Sequence, residues 1–446
     1  VTFPLYEKYR DSRIEWLGTV PSDWRIVPIK AVATCNDDVL PETTADDHEI
    51  LYVEISGVDA VRGIVEVLEM NFAEAPSRAR RLVRDGDVLV STVRTYLRAI
   101  APVVEPPDNL IVSTGFAVLR PREIYSTFLS YLLRSEFLIS CIISRSVGVS
   151  YPAINASDIM RLPIAIPKDI SEQMAISKFL DRETAKIDAL VAEQEKLIVL
   201  LKEKCQAVIS HAVTKGLDPK VKMKDSGIEW FGKIPSHWRV VPLMHLTDPQ
   251  RPIMYGIVLP GPDMDDGILI VKGGDVKEHR LRPENLCKTT PEIEAPFARA
   301  RLRENDIVYS IRGTIGDAEL VPASLENANI TQDVARVSPR NDVNCYWLLS
   351  ALRSDPVFQQ LRQRSLGAAV PGINIFDLKR ARIPVPPPDE QNALAEFLVD
   401  ELAKLVGLIA EARKSIDLLK EHRAALISAA VTGKIDVRGL AGAEAA

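Results

Sequence analysis

A seven-residue repeat runs without interruption through residues 171–214. Leu180, Ile187, Gln194, Leu201 and Val208 form one seam, and Thr184, Val191, Ile198, Cys205 and Ala212 follow four residues behind. No proline or glycine breaks the stretch, and charged residues fill the positions between. Such spacing predicts one long amphipathic helix that buries its stripe in a coiled coil. At 1.5 Å per residue, roughly 40 residues would span about 60 Å. A rod of that length needs a partner for its apolar face.

The chain supplies that partner itself. Residues 389–432 repeat the pattern, with Leu398, Leu405, Ala412, Leu419 and Leu426 on one seam. Leu402, Ile409, Ile416, Arg423 and Ala430 lie on the other. The two stretches align without a gap at an offset of 218, so Glu172-Gln173 meets Glu390-Gln391 and Ala212-Val213-Thr214 meets Ala430-Val431-Thr432.

The duplication extends well beyond the helices. DSRIEWLGTVPSDWRIVPI at 11–29 returns as DSGIEWFGKIPSHWRVVPL at 225–243. Trp16, Pro21 and Trp24 become Trp230, Pro235 and Trp238. Paired prolines predict an extended, rigid segment, and the tryptophans read as core anchors. Runs rich in Val and Ile follow at 49–58, 85–94 and 109–121, matched at 267–276, 304–313 and 327–339. These predict strands. YLLRSEF at 131–137 and ALRSDPVF at 351–358 predict helices. The most specific block is SVGVSYPAINASDIMRLPIAIP at 146–167, matched by SLGAAVPGINIFDLKRARIPVP at 365–386. Asn155 and Asn374 have the chemistry to read adenine, but both precede short helical patterns and are expected to cap them.

The resulting expectation is an α+β (mixed α/β) chain with an internal repeat. It divides into a globular domain at 1–167, a helical region at 168–215, a second globular domain at 216–386, a second helical region at 387–437 and a flexible tail at 438–446. Antiparallel pairing of the helices would put the domains at opposite ends, about a pseudo-twofold axis. The short link at 215–224 favours a chain that turns back on itself.

Composition narrows the class. At 446 residues, 46% hydrophobic and 26% charged, the chain has the length and balance of a multidomain globular protein. No apolar run approaches the roughly 18 residues of a membrane span, and 1–10 lacks the apolar core of a secretion signal. An initial valine leaves the true start undefined. The five cysteines are scattered and never spaced C-x-x-C. That points to a reducing cytoplasm and away from a structural zinc. The net charge of −6 means that any contact with nucleic acid must use local basic surfaces.

The paired IEW-x-G-x-x-PS-x-W segments, the PAIN and PGIN blocks and the E-Q-opened helices ending in AVT resemble the specificity subunits of type I restriction-modification systems. The resemblance covers nearly the whole chain. It implies a non-catalytic DNA reader in which each globular domain is a target-recognition domain for one half of a split, asymmetric site. The antiparallel helices would set the gap between the halves and dock two methyltransferase subunits. These partners would use S-adenosylmethionine. A motor-nuclease subunit, dependent on ATP and Mg²⁺, would complete the complex. This chain would bind no cofactor or metal itself and would touch no membrane.

Phosphate contacts need Lys, Arg or backbone amides, and base readout needs polar groups on a protruding element. In the first domain this selects Arg78, Arg80, Arg81 and Arg84, then Arg94, Tyr96 and Arg98 after a strand, and Arg145, Ser150 and Tyr151 before PAIN. In the second it selects Lys272, Arg299, Arg301 and Arg303, then Arg312 and Thr314, and Arg362 and Arg364 before PGIN. These clusters are expected to occupy matching positions in the two domains. The expected coiled-coil core is Leu180, Ile187, Val191, Ile198, Leu201 and Val208 against Leu398, Leu402, Leu405, Ile409, Ile416, Leu419 and Leu426.

Catalytic patterns are weak by comparison. Thr432-Gly433-Lys434 lacks the earlier glycine of a phosphate loop. Asp263 with Asp275-Val276-Lys277 loosely resembles a nuclease metal site, but the first domain has Gly57 where Asp275 stands. The competing reading is an interaction scaffold whose globular domains do not contact DNA.

Overall fold

Both heptad stretches are single helices in the computed structural model, which describes residues 3–277, 279–363 and 372–440. The first long helix is Ile170–Lys215 (46 residues) and the second is Pro388–Val431 (44 residues). Leu180, Ile187, Leu201, Leu398, Leu405, Ile409, Ile416 and Leu426 are buried. Val191, Ile198, Val208, Leu402 and Leu419 are half-buried, while most flanking positions are exposed. The predicted seam is thus the one that faces protein.

Contacts gather the chain into two compact units. Unit 1 is Val1–Gln194 with Lys414–Ala446, and unit 2 is Glu195–Arg413. Each contains one globular domain, the head of the helix that follows it and the tail of the other long helix.

In unit 1 the N-terminal segment closes the domain. Strand Arg25–Pro28 pairs antiparallel with Pro163–Ile166, just ahead of the long helix. Two four-stranded sheets form the body. One runs Ile100–Pro102, Val88–Ser91, Phe116–Pro121, Ala33–Cys35. The other runs Leu68–Asn71, Glu49–Val53, Leu110–Ser113, Ala79–Leu82. The run at 109–121 is therefore two strands, not one. Leu110–Ser113 joins Glu49–Val53 in parallel, and Phe116–Pro121 joins Val88–Ser91 antiparallel. The break falls at Gly115, where an added Cβ would lie 2.6 Å from Ile55 Cδ1, so the Ile55 side chain would have to move to admit one.

The helical prediction near 131–137 also resolves into two elements. Ser126–Leu133 and Glu136–Ser144 meet at buried Ser135, whose hydroxyl donates to Leu132 O at 2.5 Å. Their apolar faces join a core with Trp24, Phe128, Phe179, Leu180, Leu426 and Val431. Within this unit the two long helices meet at a polar seam position. Arg423 donates to Asp188 through Nε (2.8 Å) and Nη2 (3.2 Å). A charged pair in an apolar seam fixes register rather than adding much stability.

Unit 2 repeats this plan. Arg239–Pro242 pairs with Arg382–Val385. One sheet runs Met254–Tyr255, Val334–Val337, Ile307–Ser310, Ala318–Leu320. The other has three strands, Cys287–Thr289, Ile268–Val271, Asn329–Ile330. In place of unit 1's edge strand Ala79–Leu82 stands a helical turn, Pro291–Glu294 followed by Ala295–Ala300. The long-helix segments run antiparallel here. Ile198, Leu201 and Cys205 pack with Leu405 and Ile409, whereas Ile209, Ala212 and Val213 share a core with Leu394, Ala395 and Leu398. The predicted tail falls partly on residues 441–446, outside the described residues; Arg438–Leu440 is a short 3-10 turn.

Candidate nucleic-acid interface

The E-Q pair that opens each long helix anchors the domain in front of it. Glu172 Oε1 accepts from Trp24 Nε1 at 3.0 Å and from Tyr6 Oη at 2.9 Å. Gln173 is fully buried; its Oε1 accepts from Tyr125 N (2.8 Å) and its Nε2 donates to Pro167 O (3.0 Å). In unit 2, Glu390 Oε2 accepts from Trp238 Nε1 (3.0 Å) and contacts His237 Nε2 (2.8 Å). Gln391 Oε1 accepts from Asn344 N (3.1 Å) and its Nε2 donates to Pro386 O (3.0 Å). A buried amide with its partners in place is satisfied, and unmaking it is costly. Of the four tryptophans expected as core anchors, Trp24 and Trp238 are buried, at 1% and 0% exposure, whereas Trp16 and Trp230 are only half-buried.

The tail of the other long helix completes each lock. Gly433 (φ +69°) leaves the second helix, where an added Cβ would lie 2.5 Å from Pro21 Cδ and 3.2 Å from Trp24 Cη2. Gly216 (φ +75°) leaves the first, where one would lie 3.4 Å from Trp238 Cζ2. Glycine is the residue that tolerates both the left-handed turn and this approach. Ser428 Oγ accepts from Glu136 N in unit 1, and Ser210 Oγ from Asp355 N in unit 2. These roles were hidden in the sequence, although the repeated E-Q, W and AVT signals marked their positions.

On this shared frame the basic candidates divide sharply. In unit 1, Arg78 is bound to Glu54 at 2.6 Å, and its proton is held more tightly by Tyr52 and the Glu54 charge. Arg84 faces Asp38 at 2.8 Å, and Arg98 forms a two-pronged pair with Glu136 at 2.8 and 2.6 Å. Arg80 lies over the Phe72 ring at 4.5 Å, and Arg81 is half-buried beside Cys35, whose thiol is pushed up to about 11 by burial. Arg94 and Arg145 are exposed and face no carboxylate among the described residues. The Arg94 guanidinium sits 4.7 Å above the Tyr151 ring, bringing together two predicted site residues from separate segments. Tyr96 and Ser150 are exposed nearby in sequence on the same two segments.

In unit 2, Arg301 is held by buried Glu294 at 2.8 and 2.7 Å, which keeps that carboxyl below its ordinary range. Lys272 donates Nζ to Cys287 Sγ at 3.0 Å, which raises its affinity for the proton. Thr314 donates to Gly273 O at 3.2 Å. Arg299, Arg303, Arg312 and Arg362 are exposed and without a carboxylate partner among the described residues. Arg312 lines a cleft of about 550 Å³ with Tyr255, Gln332 and Asn374. Arg364 lies outside the described residues, as do Gly367 and Pro371 of the PGIN block.

The expectation of matching positions is corrected at two places. Val93 bridges to Ala153 in unit 1, and Arg312 bridges to Gly372 in unit 2. Arg312 therefore stands where Val93 stands, and Arg94 (φ +52°) matches Gly313 (φ +73°). A shift of one residue on an extended backbone redirects the side chain to the other face. Likewise Arg80 and Arg81 sit on an edge strand, whereas Arg299 sits on a helical turn. The caps also differ. Asn374 Oδ1 accepts from Phe376 N at 2.9 Å, but Asn155 donates to Asp158 Oδ2 at 3.3 Å and makes no side-chain cap.

Sequence reasoning missed Arg336. It is 1% exposed and donates to Arg299 O, Arg301 O and Pro252 O, so it fastens the arginine-bearing segment from beneath. Burial lowers it to about 10. The carboxylates of the loose nuclease pattern serve as local caps. Asp263 accepts from Lys288 N and Asp275 from Lys272 N. Among the described residues, no group of three or more His, Cys, Asp or Glu could hold a metal ion, and no single helix is long and apolar enough to cross a membrane.

The anchoring frame is duplicated, and each unit sets a different group of arginines on it. The sequence model of the family described as "Type I restriction modification DNA specificity domain" matches residues 21–198 and 268–416, and this chain belongs to that family. It is 31% identical over 265 residues to the type I restriction enzyme EcoBI specificity subunit of Escherichia coli; the match spans 57% of this chain and 55% of that relative. A putative type I restriction enzyme MjaX specificity subunit from Methanocaldococcus jannaschii is 23% identical over 95% of this chain and 96% of its own length. A solved structure concerned with complex assembly and conformational transition of the type I R-M system covers 92% of this chain and 98% of its own (TM-score 0.66, 25% identity). The HsdS subunit from Thermoanaerobacter tengcongensis shares the fold over 95% of this chain and all of its own (TM-score 0.53, 24% identity).

Proposed function

We propose that this chain is the DNA sequence-specificity subunit of a type I restriction-modification complex. Each unit reads one half of a bipartite, asymmetric site in double-stranded DNA, and the long helices set the spacing between the halves. The observation that carries this reading is the contrast just described: identical anchoring residues in both units support arginine-bearing faces that differ in register and in secondary structure. Two unlike half-sites call for equal scaffolds with unequal readers. Arg94 and Arg145 in unit 1, and Arg299, Arg303, Arg312 and Arg362 in unit 2, which face no carboxylate among the described residues, are the groups available to phosphates and bases.

The long helices also carry apolar residues away from their seam. Leu190, Leu197, Val199, Leu200, Val399, Val406, Leu408 and Leu418 are all exposed. Large apolar side chains left in solvent on both helices support a protein partner there. We assign it to two methyltransferase subunits, with motor-nuclease subunits joining the assembly. S-adenosylmethionine, ATP and Mg²⁺ act on those partners, and this chain has a non-catalytic, cytoplasmic role.

The test is a gel shift of the methyltransferase complex against its bipartite site across a salt series. Sequence-selective binding that weakens steeply with salt is expected. Salt-insensitive or sequence-blind binding would refute the proposal. Four residues inserted into one long helix add about 6 Å and should change the preferred spacer or prevent assembly. An unchanged target would remove the spacing role.

A further inference from the structure

Unit 1 carries a surface that phosphate contacts and polar base readout do not explain. Around residues 147–151 the chain turns back on itself and leaves large apolar groups in solvent: Val147 is 81% exposed, Val149 102% and Tyr151 61%. Beside them, the short turn Thr95–Leu97 exposes Tyr96 and Leu97. Both segments are firmly built. Val147 and Ala153 exchange backbone hydrogen bonds of 2.8 and 3.0 Å, Arg94 N donates to Pro152 O at 2.7 Å, and the Thr95 and Ser146 hydroxyls meet at 2.7 Å. At Gly148 (φ +119°) an added Cβ would lie 3.0 Å from Tyr151 O, so the tip needs glycine to close. The turn is flanked by Arg94 and Arg98, both left-handed at φ +52° and +55°. Backbone held in sparse regions clusters at functional sites.

We infer that this tip is an apolar wedge that enters the base stack of the half-site read by unit 1, with Val149 as its point and Tyr151 as a stacking platform. The inference rests on the DNA-reading role proposed above. Charge selects the occupant. The apolar groups are flanked by Arg94, Arg98 and Arg145; Arg94 and Arg145 face no carboxylate among the described residues. Arg94 stacks on Tyr151 from one side, which leaves the exposed ring to a base. A tip of five residues is too narrow to form the apolar centre of a stable protein interface, but a wedge of one or two side chains is what unstacks a base step. The matching stretch of the second domain reads Ala368-Ala369-Val370 where this one reads Val149-Ser150-Tyr151. Smaller side chains and no aromatic ring predict that the wedge acts at one half-site only.

The experiment uses the full chain in its methyltransferase complex, without S-adenosylmethionine. Duplexes carry the bipartite site with 2-aminopurine placed singly through each half. The half read by unit 1 is identified by the binding loss of Arg94→Ala. In that half, the wild-type complex should raise the fluorescence at one step. Val149→Ser and Tyr151→Ser should abolish that signal, Tyr151→Phe should keep it, and signals in the other half should persist in all three. Binding by the serine variants should fall about five- to hundredfold with the wild-type salt slope, because no phosphate contact is lost. Serine variants with the wild-type fluorescence pattern would overturn the wedge and leave DNA reading intact. Loss of methyltransferase association in those variants would overturn it in favour of a protein-docking tip. Absence of any sequence-selective binding by the wild type would instead overturn the reading on which it rests.

Discussion

In unit 1, Glu172 and Gln173 grip Trp24 and the start of helix Ser126–Leu133; in unit 2, Glu390 and Gln391 grip Trp238 and the start of helix Cys345–Arg353. Donors, acceptors and distances repeat almost atom for atom. Little of this holds at the basic faces. Unit 1 has a strand where unit 2 has a helical turn, and its free arginine lies one residue further along the chain. The polar seam differs too: Asp188 and Arg423 of unit 1 correspond to Val406 and Cys205 of unit 2. The comparison separates two kinds of residue. Those that join domain to helix must solve one steric and hydrogen-bonding problem twice. Those that face outward answer to whatever each unit binds.

The strongest way to break the comparison is to cut one anchor and watch the other unit. Trp24→Ala and Trp238→Ala should each cost about 3–5 kcal/mol, since each removes a large buried ring together with the hydrogen bond that ties it to the long helix. Hydrogen exchange should accelerate in the unit that carries the change. Equal acceleration in both would show that the two locks are not separate. Leu201→Asp should be nearly as damaging, because it places an unpaired charge in the apolar seam of unit 2. A variant with the wild-type melting temperature would contradict the packing seen there.

Recognition offers a finer test. Arg312→Ala and Arg94→Ala should each weaken binding by about 1–3 kcal/mol, and only for changes in one half-site. Loss at both halves from a single substitution would contradict modular reading. At the seam, Arg423→Leu should be close to neutral, within about 1 kcal/mol, because an apolar residue can replace a partly exposed pair whose remaining carboxylate, Asp188, still reaches water. A large loss by thermal unfolding would assign the pair a stabilising role instead.

The smallest effect is a dependence on pH confined to unit 2. Arg301 holds the Glu294 carboxyl below its ordinary value. A carboxyl depressed in the folded state lends stability above its unfolded pKa of about 4.3, and that stability is lost as pH falls through the folded value. Glu294→Gln should flatten the acid response of exchange around 294–330 and leave unit 1 unaltered. An unchanged acid response would discount the pair.

Much of this molecule was legible as a string of residues. The heptads named the buried seam because helical geometry repeats every 3.6 residues whatever surrounds it. The duplicated E-Q, Trp and AVT signals marked the frame because both copies obey the same packing constraint. Size and apolarity marked all four repeated tryptophans alike and could not separate the buried Trp24 and Trp238 from the half-buried Trp16 and Trp230. Local rules could not divide 109–121 between two sheets, since the division depends on which strands lie alongside. They could not separate the arginines that pair internally, such as Arg78, Arg98 and Arg301, from those left free, such as Arg94 and Arg312. A guanidinium looks the same in sequence whether a carboxylate distant along the chain lies within 3 Å or not. The sequence alone determined periodicity, duplication and the anchoring residues, which are properties of near neighbours and of repetition. The tertiary structure decided which charges remain for a partner, because pairing is a matter of distance in space and falls off too steeply to be read from distance along the chain.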